Sequence, residues 1–221
     1  DVVVTSTGRV YAALAKNADT ADDEEGIFYS TDGTNWTEIT PGGWPSDYSR
    51  TVLAVNPSDE DEVWAIVEAA GSGSGPNGHE LWLYDADADA WTDHTDRLPA
   101  RGGLTGNFHS QYSYDLVLAV HPEDGSTLFV GGRNLWRIDT TDAASDTSTW
   151  IGGYTHTNLS YAFYAPLGSD RHHPDQHAIA FLPSAGDVMY VGSDGGVHRT
   201  DDNRAGGSGA SGDGAVLWTS L

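Results

Sequence analysis

Three residues at alternate positions, His173, Asp175 and His177, have the types and spacing to hold a divalent metal. In an extended segment alternate side chains project to one side, so two imidazoles and a carboxylate would converge. With Asp194 brought to the same edge by a tight turn, the set suits zinc or another transition metal, with a position left open for water. A second reading makes them a hydrogen-bonded loop anchor with Asp170 and His172 as solvated neighbours, favoured because side-chain networks commonly stabilise long loops. Gln111, Tyr114 and Asp115 form a further polar group ahead of another apolar stretch. Together with Asp194 they suit hydrogen bonding to a polar ligand such as a glycan. The competing reading pairs them with one another, since buried polar groups must find partners. Asp115, Asp175 and Asp194 also offer the two carboxylates that glycoside hydrolysis needs, although 25 aspartates in the chain make any such pair unsurprising. Asp85, Asp87 and Asp89 mimic a Ca²⁺ loop, but Ala90 stands where the turn requires Gly and Asp96 where it requires Glu, which excludes an EF-hand.

The elements that must position these groups read as strands. The same four-strand phrase is laid down four times, starting near residues 2, 51, 115 and 177. Many of its strands, such as VLAV at 52–55 and AIAFL at 178–182, are apolar at consecutive positions, as expected of strands buried on both faces. A four-stranded antiparallel unit in tandem is the signature of β-propeller blades. The fold expectation is therefore all-β, a single propeller segment over 1–221 with about four blades near 1–45, 46–100, 110–156 and 172–221, forming part of a larger ring. Turns between first and second strands are short, whereas the connections at 16–25, 70–79, 96–113 and 156–176 are long. Long loops gathered on one face of a rigid scaffold usually carry recognition. Aromatics cluster there: Trp44, Tyr48, Phe108, Tyr112, Tyr154, Tyr161, Phe163 and Tyr164. They suit either stacking on sugars and peptides or covering the blade tops, the second favoured because loops lack a core of their own.

Ser30, Asp32, Gly33 and Trp36 lie at the turn between the third and fourth strands of the first phrase, with fainter copies at Asp85 to Trp91, Asp139 to Trp150 and Thr200 to Trp218. This turn resembles the BNR/Asp-box repeat of sialidases, sortilin-like receptors, xyloglucanase-type glycoside hydrolases and photosystem assembly factors. It is one residue shorter than the usual Ser-x-Asp-x-Gly-x-x-Trp, and only the first copy is clean. Stretches 110–139 and 172–202 resemble paired blades of large secreted bacterial BNR-repeat proteins. The resemblance implies a ring of six to ten blades and an extracellular setting; recurrence of the turn gives it a packing role, in which Ser30, Asp32 and Gly33 bond the turn's own backbone and Trp36 packs into the blade. The arginine triad of sialidases is not recognisable, although Arg50, Arg133 and Arg171 are available.

Composition narrows the partners. Thirty-three acidic residues against ten basic ones give a formal net charge of -23, so a nucleic-acid backbone or an anionic membrane would be repelled. Aspartate outnumbers glutamate 25 to 8, and Lys16 is the one lysine beside nine arginines. Such a skew fits a protein of high-salt environments, where screening removes the self-repulsion. There is no cysteine, and no apolar run approaches membrane-spanning length. A start at Asp1-Val2-Val3-Val4 reads as a processed chain or an excised piece. The functional expectation is a non-catalytic extracellular recognition propeller of a larger acidic protein, binding a glycan or protein ligand on the long-loop face. The remaining blades, or a second copy, would be its structural partners. A glycoside hydrolase or metal-dependent hydrolase using the axial carboxylates and histidines is the alternative, and no cofactor is implied beyond that divalent metal.

Overall fold

The computed structural model describes residues 1–15, 24–69, 75–141, 147–154, 166–167 and 170–221. Blade 1 holds β1 (Val2–Val4), β2 (Val10–Leu14), β3 (Gly26–Ser30) and β4 (Thr37–Glu38). Blade 2 holds β5 (Tyr48–Val55), β6 (Glu62–Ala69), β7 (His79–Asp85) and β8 (Ala90–Asp93). Blade 3 holds β9 (Val117–His121), β10 (Asp124–Gly131), β11 (Leu135–Asp139) and β12 (Ser148–Gly152). A small hairpin of β13 (Pro166–Leu167) and β14 (Asp170–Arg171) precedes blade 4, made of β15 (Gln176–Leu182), β16 (Ala185–Ser193), β17 (Gly196–Thr200) and β18 (Thr219–Ser220). Each blade is an antiparallel sheet in chain order, and the first strands of successive blades adjoin, which is the β-propeller arrangement.

Blade 2 shows why its strands are apolar without alternation. Leu53, Val63, Ala65 and Tyr84 pack on Tyr11, Ala13 and Ile27 of blade 1. The opposite face, with Ala54, Trp64, Ile66 and Leu81, enters a second core shared with Leu118, Leu128, Val130 and Trp136 of blade 3 and with Met189 and Val191 of blade 4. Both faces are covered, and each buried side chain contributes roughly 1.5–3 kcal/mol.

The Asp-box turn ties its own backbone together. The Ser30 hydroxyl accepts from the Gly33 amide at 2.9 Å, and Gly33 takes the left-handed conformation at φ 73°. Asp32 accepts from the amides of Thr34 and Asn35 at 2.8 and 2.7 Å and from the Asn35 side chain at 2.7 Å, bonds that hold its carboxyl well below the usual carboxylate range. Fainter copies persist where Asp85 accepts from the Ala88 amide, Asp139 from Thr141 and Thr200 from Asp202. Ser30 is fully buried, so Ser30→Ala leaves a turn amide unpaired and is expected to cost about 1–2 kcal/mol in thermal denaturation. Unchanged stability in that variant would remove the packing role of the turn.

The fourth-strand tryptophans behave differently along the chain. Trp150 and Trp218 are buried and Trp91 is half-buried, whereas Trp36, expected to pack into its blade, is 45% exposed. The physical reason is that, among the described residues, blade 1 has no neighbour on that side. Among the described residues the arc of four blades is open.

Candidate functional site

The polar residues read from the sequence meet at the seam between blades 3 and 4. Leading into β9, Gln111, Tyr112 and Ser113 occupy three consecutive left-handed positions, at φ 51°, 61° and 63°. Non-glycine residues adopt this conformation only when their surroundings over-determine it. Blade 2 supplies the determinants. Ser110 is fully buried, with its Oγ 2.8 Å from His79 Nε2 and 3.0 Å from Glu68 Oε2. The same Ser110 oxygen accepts from the Ser113 amide at 3.1 Å, and the Ser113 hydroxyl donates to Glu68. Burial lowers the pKa of His79. Its Nδ1 donates to the Pro76 carbonyl at 3.0 Å, so the ring brackets Ser110 from blade 2.

The platform so held presents Tyr112 at 91% exposure and Tyr114 at 57%. Asp115 turns inward and is fully buried. The Gln111 amide bridges two carboxyl groups, donating to Asp115 Oδ2 at 3.2 Å and to Asp175 Oδ1 at 2.6 Å. The other Asp115 oxygen is sealed in the protein without a hydrogen bond. Burial, reinforced by the neighbouring Asp175 charge, pushes the Asp115 carboxyl up to about 7 despite the Gln111 bond. Burial and the Asp194 charge push Asp175 upward as well. The pair thus retains a proton at mildly acidic pH. Asp194 is the counterpart in the open: it accepts from His177 Nε2 at 2.6 Å and from the Tyr114 hydroxyl at 3.0 Å, which lowers its own pKa and raises that of Tyr114. The Tyr114 and His177 rings meet edge to face at 5.0 Å.

Glycines let the two blades approach this closely. A Cβ on Gly131 would lie 2.8 Å from the Gln176 Cβ, and one on Gly152 would lie 2.5 Å from His172 Nδ1. The Gly132 and Arg133 carbonyls are then free to accept from the Gln176 and Asp175 amides at 2.9 and 3.0 Å, stitching blade 3 to blade 4.

Gln111, Tyr114, Asp115 and Asp194 are therefore brought together, and Asp175 and His177 join them. The metal set is not assembled. Asp175 sits at φ 65° and ends the extended run, so the alternation that would have pointed His173, Asp175 and His177 to one side does not hold. Each goes to its own partner: His173 Nδ1 to the Pro174 carbonyl at 2.9 Å, Asp175 to Gln111, and His177 to Asp194. Among the described residues no three His, Asp or Glu side chains form a metal-binding group. His172, read as a solvated neighbour of the anchor, is instead fully buried and stacks on Trp218 with ring centroids 4.2 Å apart.

Sequence reasoning missed the residues that carry the platform, Glu68, His79, Ser110 and Ser113, because they lie in another blade or read as ordinary polar loop residues. It also missed His109, which lines a depression of about 420 Å³ with Gln111, Tyr112, Tyr114 and Arg133. Arg133 is only 7% exposed and stands near the Asp115 and Asp175 charges. Of the aromatics expected on this face, Tyr48 and Phe108 are buried and Trp44 packs on Tyr48, Trp82 and Trp91. Tyr161, Phe163 and Tyr164 lie outside the described residues, as does most of the 156–176 connection.

No protein-family model and no curated protein matches the chain. Solved structures do match. The GH74 xyloglucanase from Xanthomonas campestris superposes with a TM-score of 0.56 at 15% identity, over 98% of this chain and 29% of that one. An ancestral GH74 enzyme superposes with a TM-score of 0.56 at 16% identity, over 98% of this chain and 26% of that one. At such identities the likeness concerns the propeller fold, and this chain spans less than a third of either protein.

Proposed function

We propose that this chain is a non-catalytic glycan-recognition propeller, part of a larger extracellular protein of a high-salt environment. The observation that carries this reading is the pair of exposed tyrosines on a backbone held in three consecutive left-handed conformations. An exposed aromatic on a strained, braced platform contributes little to the fold and is suited to stacking on a sugar ring. Around it, Arg133, the Gln111 amide and the Asp194 carboxylate supply donors and acceptors for hydroxyl groups. The fold likeness to a xyloglucanase makes xyloglucan the first ligand to try.

The same geometry argues against a glycosidase centred on Asp115 and Asp175. Glycosidase carboxyl groups stand about 5–9.5 Å apart with the scissile bond between them. Here the Gln111 amide nitrogen stands between the two carboxyl groups, where a scissile bond would have to lie, and Asp115 is fully buried.

Titration calorimetry with xyloglucan oligosaccharides in molar KCl tests the reading. Binding in the micromolar to millimolar range is expected, and Tyr112→Ala should weaken it at least about tenfold, the loss of one stacking contact of roughly 1.4 kcal/mol. The melting temperature should not move, because Tyr112 is almost wholly in solvent. Heat that is identical in wild type and Tyr112→Ala would remove this site from consideration, and release of reducing sugar on incubation would replace recognition with hydrolysis.

A further inference from the structure

The depression beside Tyr112 is lined without an acid. Its walls are His109, Gln111, Tyr112, Tyr114 and Arg133. In a chain with 33 acidic residues against ten basic ones, such a lining departs from the rest of the surface. Depressions elsewhere among the described residues carry carboxylates: Glu24 in one, Asp201 and Asp202 in a second, Asp139 in a third, and Asp59 with Glu62 in a fourth. The acids nearest this one are turned to other partners. Asp115 and Asp175 accept from Gln111 behind the wall, and Asp194 accepts from the Tyr114 hydroxyl and from His177.

What the walls offer instead is donors fixed in place. The Arg133 amide donates to the His109 carbonyl at 2.9 Å, and the Arg133 carbonyl accepts from the Asp175 amide at 3.0 Å, so the residue is pinned from both sides. Arg133 is 7% exposed, and salt screens such a charge far less than one in open solvent. A guanidinium presents a planar fork that matches a carboxylate through two parallel bonds. His109 adds a neutral donor. Burial and the Arg133 charge push its pKa down to about 4, and its Nδ1 accepts from the Gln111 amide at 2.8 Å, which leaves the ring proton on Nε2. Tyr112 meets the His109 ring edge to face at 6.2 Å and carries the wall outward as an aromatic surface.

We propose that the ligand of this platform is an acidic glycan, in which the carboxylate of a uronic acid residue pairs with Arg133 and accepts from His109 while the sugar ring stacks on Tyr112. The inference rests on the recognition reading above and narrows it to sugars that carry a carboxylate. A neutral sugar would leave the guanidinium facing hydroxyl groups, which make weaker bonds than an ionised acceptor. The net charge of -23 does not prevent the approach. In 1 M salt the Debye length is about 3 Å, so distant acids are screened while a partly buried contact pair is not.

Titration calorimetry in molar KCl tests the proposal with matched probes: oligosaccharides of glucuronic and of galacturonic acid, each beside the same chain with its carboxyl groups reduced to alcohols. An acidic probe is expected to bind at least about tenfold more tightly than its reduced counterpart, and Arg133→Gln should bring that ratio near one. Tyr112→Ala should weaken both members of the pair and leave the ratio in place, because stacking does not sense the carboxylate. The matched probes keep the comparison on the wild-type protein, whatever Arg133→Gln does to folding. A preference that persists in folded Arg133→Gln would overturn the assignment of the carboxylate to this wall. Equal binding within each pair, or failure of both acidic probes where xyloglucan oligosaccharides bind, would overturn the acidic ligand and leave recognition standing. Silence with acidic, reduced and xyloglucan probes alike would overturn both.

Discussion

In dilute buffer the chain is expected to lose its cooperative thermal transition, and roughly 1 M KCl or more should restore it. The formal net charge of -23 is spread over a surface with few counter-charges. Among the described residues the arginine pairs with carboxylates are Arg9 with Asp61, Arg101 with Asp213, Arg199 with Asp201, and Arg204 with Asp187 and Asp124. Whole stretches have none: Asp85, Asp87, Asp89, Asp93 and Asp96 are all exposed along the outer edge of blade 2. Salt acts in two directions here. It weakens the arginine pairs, but exposed pairs are worth only about 0–1 kcal/mol each. It also shortens the Debye length from about 10 Å at 0.1 M to about 3 Å at 1 M, which removes repulsion among many more charges. Repulsion therefore decides the sign. Circular-dichroism melts across a KCl series measure the effect, with sucrose at matched osmolality as the uncharged control. A midpoint indifferent to salt would end the high-salt reading.

The second large effect is expected at Asp115. Its carboxyl is raised from an ordinary value near 3.8 to about 7 by burial and by the Asp175 charge. The folded state therefore holds a proton that the unfolded chain has already lost between about pH 4 and 7, and stability falls as pH rises through that window. Below it both states are protonated and the penalty vanishes; above it the penalty is complete. Asp115→Asn keeps the shape, can accept from Gln111 and can donate toward Asp175 without titrating. At pH 8 this variant should be more stable than wild type by about 2–4 kcal/mol, and the gain should shrink toward zero near pH 4. Urea denaturation at pH 4, 6 and 8 in molar KCl reads both quantities. A variant that loses stability equally at all three would show that Asp115 is needed as a carboxylate and that the proton is not retained.

The retained proton also bears on recognition. On the proposed reading, a glycan hydroxyl approaching Tyr112 and Tyr114 would meet Asp194, whose bonds to His177 and Tyr114 lower its pKa, as the nearest strong acceptor. Asp115 and Asp175 lie behind it as braces.

How much of this was legible in the sequence differs by level. Local chemistry determined the blades: strands apolar at consecutive positions, glycine pairs after them, and a self-bonding Ser-x-Asp-Gly turn whose partners lie within five residues, all of which a linear reading captures. The grouping of Gln111, Tyr114, Asp115 and Asp194 was also legible, because the approach to β9 and the β16–β17 turn that carries Asp194 lie at the same edge of their blades, and repetition places such edges side by side. The separate partners of His173, Asp175 and His177 have a local reason with a tertiary cause. Asp175 takes a left-handed conformation because its amide is claimed by the Arg133 carbonyl and its carboxyl by Gln111, both in blade 3. Nothing within its own segment announces that. The same holds for Glu68, His79 and Ser110, whose role as a brace exists only where blade 2 meets the approach to blade 3. Exposure of Trp36 was beyond any local reading too, since the turn that carries it is sound and what it lacks is a neighbour. Composition and repetition thus settled what each blade is, because those forces act within a few residues. Which side chains face one another across a seam and which carboxyl keeps its proton were decided by the packing of blades, because burial and partner charge belong to the assembled fold.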